Sequence, residues 1–276
     1  MKTNPPPGRR EFLRLAAGGV AASLLPSLVR ALPSAQFKIK AVAFDGFAIF
    51  DPRPIFGLAG ALFPGRGLEL ANEWRTRQFE YTWLRTVAGH YADFSQVSED
   101  ALAWAADKLS LTVSPGQQAQ LLAGYLSLKP WPDVPATLAR LQSDGLPLAI
   151  LSNLTPRMMQ ASVESSRLQG AFQSLLSTDQ VQAFKPDPGT YALGPAAFSL
   201  RREEILFVAS AGWDAAGAKL FGYPTYWVNR PHLPAERLGA SADATAADLD
   251  GVAPFLLRFD QERHATVGKI SRRIFG

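Results

Sequence analysis

The 276-residue chain contains no cysteine. It therefore has no disulfide bond, thiol nucleophile or cysteine-ligated metal site, and it is compatible with an oxidising compartment. After the first 35 residues, no internal repeat, low-complexity segment or run long enough for a membrane span is present. Hydrophobic residues make up 47% of the chain, which is enough to build the core of a folded domain.

Excess positive charge is absent from the main part of the chain. The formal net charge is +4, and residues 1–35, with five basic residues and one acidic residue, carry all of it. Residues 36–276 are therefore formally neutral. A neutral body lacks the electrostatic attraction that supports binding to a phosphate backbone, so we expect no nucleic-acid partner.

The first 35 residues have the pattern of an export signal. The pair Arg9-Arg10 precedes an apolar stretch at residues 15–25, and small residues follow. This order is typical of a secretory signal, and the paired arginines resemble the twin-arginine type. We expect a signal peptide over residues 1–35 and a periplasmic protein without membrane association after cleavage. The alternative is an ordinary N-terminus with a chance arginine pair.

Four apolar runs predict the strands of a buried sheet. They cover residues 39–44, 146–151, 205–208 and 225–228, and helix-like segments lie between them. Continuous apolar runs favour strands that are covered on both faces, as in a parallel sheet. The alternation predicts a doubly wound, Rossmann-like α/β fold, in which ligands bind beyond the carboxyl ends of the strands.

A long insertion separates the first two predicted strands. It reads as helical, because apolar residues recur at helical spacing in residues 68–87, 98–109 and 115–126, and no strand signal interrupts it. Since the insertion directly follows the first strand, we expect an all-helical cap over the strand ends. The predicted division is a core of residues 36–53 and 132–260, a cap of residues 54–131, and a basic tail of residues 261–276.

Polar residues follow the predicted strands. Asp45 ends the first, Ser152 and Asn153 end the second, and Ser210 follows the third. An aspartate has an ordinary pKa of about 3.9, so it can attack carbon without losing a proton first. Free N–H groups at the start of a helix favour anions, which suits the position of the Ser-Asn pair. An aspartate before glycine is also common in plain turns, so position alone does not decide its role.

Four strand-end or loop segments occur in a distinctive order. They are Phe44-Asp45-Gly46-Phe47, Leu151-Ser152-Asn153, Phe184-Lys185-Pro186-Asp187-Pro188 and Trp213-Asp214-Ala215. Together with Trp74-Arg75 and residues 80–85 of the predicted cap, they resemble the haloacid dehalogenase superfamily, and within it the (S)-2-haloacid dehalogenases. The resemblance covers about residues 38–231. Four motifs in order with a matching cap segment are far more specific than any single motif.

The resemblance implies a hydrolase that converts short 2-haloalkanoic acids into 2-hydroxy acids and halide. It implies that Asp45 is the nucleophile that forms an aspartyl ester and that Lys185 is the cation beside it. Asp214 would position or activate the hydrolytic water or pair with the lysine, and Arg75 would reach the halide from the cap. It implies no metal or cofactor. The expected partners are a small haloacid and, by analogy, a second copy of the chain.

The same resemblance implies a substrate pocket. Ser152 would bind the substrate carboxylate and Asn153 the leaving halide. Three aromatic residues, Phe47, Phe94 and Trp213, would form an apolar wall around the halogen.

Ordinary structural roles stay open for several of these residues. Lys185 could be a surface lysine before a turn, and Asp214 could be the N-terminal cap of a helix. The Ser-Asn pair after the second strand could likewise be capping residues. Arg75 could be a solvated helix arginine, and we expect Arg77 to be one.

Phe47 argues against phosphoryl transfer. In phosphatases of the haloacid dehalogenase superfamily, which this sequence resembles, a second aspartate stands two residues after the nucleophile. That aspartate protonates the leaving oxygen. The ring of Phe47 cannot donate a proton, and a halide leaves without one. The last motif also offers a single carboxylate, whereas a magnesium site normally needs several oxygen ligands.

Three positions depart from the dehalogenase pattern. Ile49, Ala209 and Ala211 stand where that pattern has polar side chains that hold the nucleophile, the lysine and the water, and Ser210 is a candidate to replace one of them. The loss of a hydrogen bond to a charged group costs roughly 1.5–3 kcal/mol. Two further interpretations therefore stay open: a hydrolase of the same scaffold with another small substrate, and a periplasmic binding protein without turnover.

Overall fold

The computed structural model describes residues 38–259, and the predicted signal peptide and basic tail lie outside this range. The described residues form a parallel sheet with flanking helices and a helical insertion. The strands are β1 (Ala41–Phe44), β2 (Phe50–Asp51), β3 (Lys129–Pro130), β4 (Leu148–Ser152), β5 (Ser174–Ser177), β6 (Ile205–Ala209), β7 (Thr225–Val228) and β8 (Ala244–Ala246).

Ten α-helices connect these strands within residues 38–259. They are α1 (Gly46–Ile49), α2 (Arg53–Leu62), α3 (Gly67–Ala88), α4 (Phe94–Lys108), α5 (Pro115–Ala123), α6 (Val134–Ser143), α7 (Pro156–Ser165), α8 (Pro188–Tyr191), α9 (Leu193–Phe198) and α10 (Gly212–Phe221). Local sequence determines where two of these helices begin. The Thr155 hydroxyl accepts a hydrogen bond from the Met158 amide at the start of α7, and Ser114 forms a capping box at the start of α5. None of the helices in residues 38–259 is long and apolar enough to cross a bilayer.

The main sheet has the order β5-β4-β1-β6-β7-β8, and every neighbouring pair is parallel. Alternate residues of β1 enter two hydrophobic clusters on opposite faces: Val42 and Phe44 on one, Ala41 and Ala43 on the other. Burial on both faces is why these strands read as continuous apolar runs. The predicted doubly wound α/β fold is confirmed.

Two strands of this sheet were not predicted. β5 begins and ends with serine, and β8 is a three-residue edge strand that is only partly buried. Neither has the continuous apolar run that identified the other four strands.

The position of β1 determines where the polar residues meet. It lies between β4 and β6, which follow it along the chain on opposite sides. Such a reversal of strand order leaves a crevice beyond the carboxyl ends of the strands. The residues that follow β1, β4 and β6 therefore converge at one edge of the sheet.

Helices α2 to α5 form the insertion, which we call the cap. Helices α3, α4 and α5 occupy the three segments for which helices were predicted. The expectation that residues 54–131 contain no strand was wrong, because β3 lies there and pairs antiparallel with β2. A two-residue strand that includes a proline shows no alternating pattern, so the sequence carried no signal for it.

Trp131 fixes the return of the chain from the cap to the core. Its indole N–H donates to the Phe47 carbonyl at 3.0 Å, which joins it to the turn that carries Asp45. The guanidinium carbons of Arg53 and Arg230 both lie over its ring, at 4.4 Å and 4.3 Å from the ring centre. Both connections between cap and core are thus tied to one aromatic residue.

Candidate active site

Asp45 is held at the end of β1 by its backbone and its side chain. Its amide donates to the Val208 carbonyl at 2.8 Å. Its Oδ2 atom accepts hydrogen bonds from the Phe47 amide at 3.1 Å and from the Ser210 hydroxyl at 2.5 Å. The residue is 7% exposed, so the carboxylate is fixed yet reachable.

Lys185 lies between two carboxylates. Its ammonium donates to Asp45 Oδ1 and to Asp214 Oδ2, both at 2.9 Å, and the residue is 1% exposed. Burial opposes the charge, but the two carboxylates outweigh it and raise the pKa of Lys185 above its ordinary value. The alternative of a surface lysine is therefore wrong.

Asp214 faces the ammonium and does not cap its helix. It is the third residue of α10, whose N-cap is Ala211, and no side chain caps that end. Its carboxylate accepts from Lys185 and, at 2.7 Å, from the hydroxyl of Tyr191. Burial raises the pKa of Asp214 to about 6, and the charge of Asp45 adds to this while Lys185 opposes it.

Tyr191 is a site residue that sequence reasoning missed. It is fully buried, and a buried tyrosine hydroxyl needs a hydrogen-bond partner, which here is Asp214. The hydroxyl of Tyr223 in turn donates to the Tyr191 carbonyl at 2.5 Å. Neither tyrosine stands at the carboxyl end of a predicted strand, where the site residues were expected.

Ser152 and Asn153 do not cap α7, since Thr155 does. The side-chain oxygen of Asn153 accepts from the Lys185 amide at 3.0 Å. Its NH₂ end is therefore the part that can donate to an anion. Ser152 packs on the nucleophile turn, where a Cβ added to Gly46 would lie 2.6 Å from its hydroxyl oxygen, so only glycine fits.

An aromatic group covers this edge from the cap. Trp213 contacts Phe79 and Trp83 of α3, each with ring centres 5.6 Å apart. Arg75, one helical turn before Phe79, is exposed with its guanidinium carbon 5.8 Å from that ring. The structure therefore brings Arg75 and Trp213 to the same aromatic group, although Phe79 and Trp83 were not predicted. The i, i+4 spacing of Arg75, Phe79 and Trp83 was the available signal.

Two further predictions concern Phe94 and Arg77 of the cap. Phe94 is buried inside the cap, where its ring centre lies 5.7 Å from that of Tyr125, and its place in an apolar wall around the halogen stays a prediction. Arg77, expected to be solvated, is not: its guanidinium carbon lies 3.4 Å from the ring centre of Trp104, and it pairs with Glu80 at 2.9 Å. Stacking on an aromatic face explains why this arginine leaves water.

Apolar side chains occupy all three unusual positions, and two of them are fully buried. Ile49 and Ala209 are fully buried, and Ala211 is partly buried. Ser210, between the two alanines, is the residue whose hydroxyl reaches Asp45. Among residues 38–259, no group of three or more histidine or acidic side chains is arranged to hold a metal ion.

Comparison with known proteins identifies the class. Residues 39–222 match the haloacid dehalogenase-like hydrolase family, and the chain belongs to this family, as predicted. It is 42% identical over 215 residues to the (S)-2-haloacid dehalogenase of Pseudomonas sp. (strain YL), covering 78% of this chain and 93% of that protein. It is 38% identical over 216 residues to haloacetate dehalogenase H-2 of Moraxella sp. (strain B), covering 78% and 96%.

A solved relative has the same fold with a ligand attached. The L-2-haloacid dehalogenase of Xanthobacter autotrophicus with chloropropionic acid covalently bound aligns with a TM-score of 0.73 and 33% identity. The alignment covers 79% of this chain and 98% of that one.

Proposed function

We propose that this chain hydrolyses the carbon–halogen bond of short 2-haloalkanoic acids through an ester on Asp45. The observation that carries the proposal is the buried ammonium of Lys185, which bonds the carboxylates of Asp45 and Asp214 at 2.9 Å each. The names of the relatives, (S)-2-haloacid and haloacetate dehalogenase, indicate the substrate class.

In the first half-reaction, Asp45 attacks the carbon that bears the halogen. Oδ2 already accepts two hydrogen bonds, whereas Oδ1 accepts one, from Lys185, so we assign the attack to Oδ1. The new bond joins Oδ1 to carbon as the carbon–halogen bond breaks, and the halide leaves with the bonding pair. The NH₂ group of Asn153 and the guanidinium of Arg75 supply donors for the anion.

In the second half-reaction, water attacks the ester carbonyl carbon of Asp45 and gives a proton to Asp214. The negative charge then develops on Oδ2, where the Phe47 amide and the Ser210 hydroxyl already donate. Collapse expels the 2-hydroxy acid oxygen, which takes a proton from Lys185. Asp214 returns its proton to Lys185 across their 2.9 Å contact, and the new Asp45 carboxylic acid releases its own.

The side chain two residues after the nucleophile, Phe47, is not an acid, and this fits a halide leaving group. Phe47, two residues after Asp45, contributes its backbone amide to the site, and its ring carries no ionisable group. A halide departs as a stable anion, while an alkoxide leaving from phosphorus needs a general acid.

The test is halide release from chloroacetate and 2-chloropropionate, followed by mass spectrometry after reaction in ¹⁸O-labelled water. We expect free halide and label in the Asp45 carboxylate, because water attacks the ester carbonyl and not the substrate carbon. Label that appears only in the product hydroxyl would contradict the ester route, and no halide from any haloacid would contradict the function.

Ser210→Ala is expected to slow ester hydrolysis more than ester formation. The serine hydroxyl donates to the oxygen on which charge develops, and such a bond to a charged group contributes roughly 1.5–3 kcal/mol. The hydrolysis rate should fall roughly 10- to 150-fold. Rapid-quench mass spectrometry should then show accumulated adduct on Asp45, with exposed Ser241→Ala as the matched control. A variant that hydrolyses the ester as fast as the original chain would remove Ser210 from the mechanism.

We also infer that the chain is exported through its arginine pair. Arg9-Arg10, the apolar stretch that follows and the start of the family match at residue 39 support a leader that precedes the enzyme. Cell fractionation should find the protein in the periplasm and should find an Arg9→Lys/Arg10→Lys variant retained in the cytoplasm. Equal export of both proteins would contradict the twin-arginine route.

A further inference from the structure

One side of α3 carries a line of four residues, and three of them, Phe79, Trp83 and Thr86, contact the core. Arg75, Phe79, Trp83 and Thr86 follow one another at intervals of four, four and three residues, which keeps them on one side of a helix. Phe79 and Trp83 contact Trp213 beside Asp214. Thr86 lies about 16 Å along the helix from Arg75. Helix α3 therefore extends from Arg75, the predicted halide ligand, to a second contact with the core at Thr86.

That second contact involves the residue before the buried lysine. The amide of Phe184 donates to the Thr86 hydroxyl oxygen at 3.0 Å. The Thr86 hydroxyl itself donates to the Thr82 carbonyl, one turn earlier in α3, at 2.8 Å. Because its proton is committed to the helix, the oxygen presents a lone pair to the core and can act only as an acceptor there.

The cap holds Phe184 at a second point. The ring of Tyr91, in the loop after α3, lies 5.1 Å from the ring of Phe184. The hydroxyl of Tyr91 donates to the carboxylate of Asp179 in the core. The next residue along the chain, Lys185, is held from the core side, where its amide donates to Asn153.

We propose that Thr86 is a positioning residue that couples the cap to the ammonium of Lys185. The inference rests on the proposed function and extends it to a residue that touches neither substrate nor the reacting atoms. Phe184-Lys185 is bonded to the cap at one amide and to the core at the next, so α3 fixes the backbone from which the lysine side chain projects. The cap thereby helps to hold the ammonium between Asp45 and Asp214.

The two hydrogen bonds of the Lys185 ammonium depend strongly on the position of the lysine backbone. The ammonium must meet two carboxylate oxygens at 2.9 Å each, and a small displacement of its backbone weakens both bonds together. Without the threonine oxygen, the Phe184 amide has no acceptor at this position, which favours a shifted backbone. The lysine would then serve ester hydrolysis poorly, while substrate contacts at Arg75 and Trp213 stay in place.

The test uses three variants, two of which keep the shape of the threonine side chain. Thr86→Val removes the acceptor and keeps the shape, Thr86→Ser restores a hydroxyl, and Thr76→Val makes the same change at an exposed position of the same helix. We expect Thr86→Val to lower kcat about tenfold with KM within about threefold of the original value. Thr86→Ser should recover most of the rate, and Thr76→Val should equal the original chain.

A spectroscopic measurement tests the coupling without turnover. The buried ammonium of Lys185 should give a ¹⁵N resonance that reports its two carboxylate contacts, and Thr86→Val should shift or broaden it while Thr86→Ser and Thr76→Val do not. An unchanged resonance overturns the proposal, and so does an unchanged kcat in an active enzyme. If the original chain releases no halide yet Thr86→Val displaces the resonance, the proposed function fails and the coupling stands.

Discussion

Replacing Asp45 by asparagine is expected to lower halide release at least about 10⁴-fold. The carboxylate oxygen that faces Lys185 is the attacking atom, and an amide in its place is a far weaker nucleophile. The variant also loses the negative charge that one side of the ammonium contacts. Substrate binding should change much less, because the groups assigned to the substrate carboxylate and the halide are untouched.

Mass spectrometry gives this prediction a direct readout. The original chain incubated with 2-chloropropionate should carry a transient adduct on Asp45, and Asp45→Asn should carry none. Asp107→Asn, at an exposed position of α4, makes the same chemical change away from the site and should behave as the original chain. Halide release by Asp45→Asn at a rate near that of the original chain would exclude Asp45 as the nucleophile.

Lys185→Met is expected to lower both activity and stability. Removing one partner of a buried ion pair leaves an uncompensated charge and typically costs about 3–5 kcal/mol of unfolding free energy. Here Asp45 and Asp214 would face each other without the cation that now bonds both. We expect kcat to fall at least about 10³-fold, since in the proposed mechanism this ammonium bonds the attacking oxygen and protonates the leaving oxygen during ester hydrolysis.

The stability loss should depend on pH in a defined direction. The pKa of Asp214 is already raised to about 6, chiefly by burial, and loss of Lys185 removes an influence that lowers it. A folded-state pKa above the unfolded value of about 3.9 means that the folded state binds more protons, so its stability is lost as pH rises through the folded pKa. The deficit of Lys185→Met should therefore be larger at pH 8 than at pH 5.

Urea unfolding at these two pH values measures the effect. Lys38→Met, at an exposed lysine, is the matched control and should leave the midpoint unchanged. Adding Asp214→Asn to Lys185→Met should recover part of the loss at pH 8, because one of the two uncompensated charges is removed. Equal deficits at both pH values would show that lost packing of the lysine stem, and not charge, dominates.

The strand-end residues could be predicted because their positions follow from local pattern and topology. Asp45, Asn153 and Ser210 each follow an apolar run, and the carboxyl ends of parallel strands meet at one edge. Lys185 lies in a loop, and its place beside Asp45 came from motif order and not from periodicity.

The contacts that surround these residues could not be predicted in the same way. Thr86 and Phe184 are 98 residues apart, and Tyr191 and Asp214 are 23 apart. Neither pair shows a periodic pattern, because each depends on how the cap and the helices pack on the sheet. Ser210 shows the opposite case: the sequence revealed missing polar groups at its neighbours, and the structure supplies the hydroxyl that reaches Asp45.

The ribbon of β2 and β3 also bears on how such a protein can diversify. Its residues pair one to one, Phe50 with Pro130 and Asp51 with Lys129, so the chain leaves the core and re-enters it at neighbouring points about 5 Å apart. A module whose two ends are adjacent can be lengthened, shortened or exchanged without moving the strands beneath it. Selection for a new substrate can therefore act on the helices of the cap while the nucleophile and its cation are inherited unchanged.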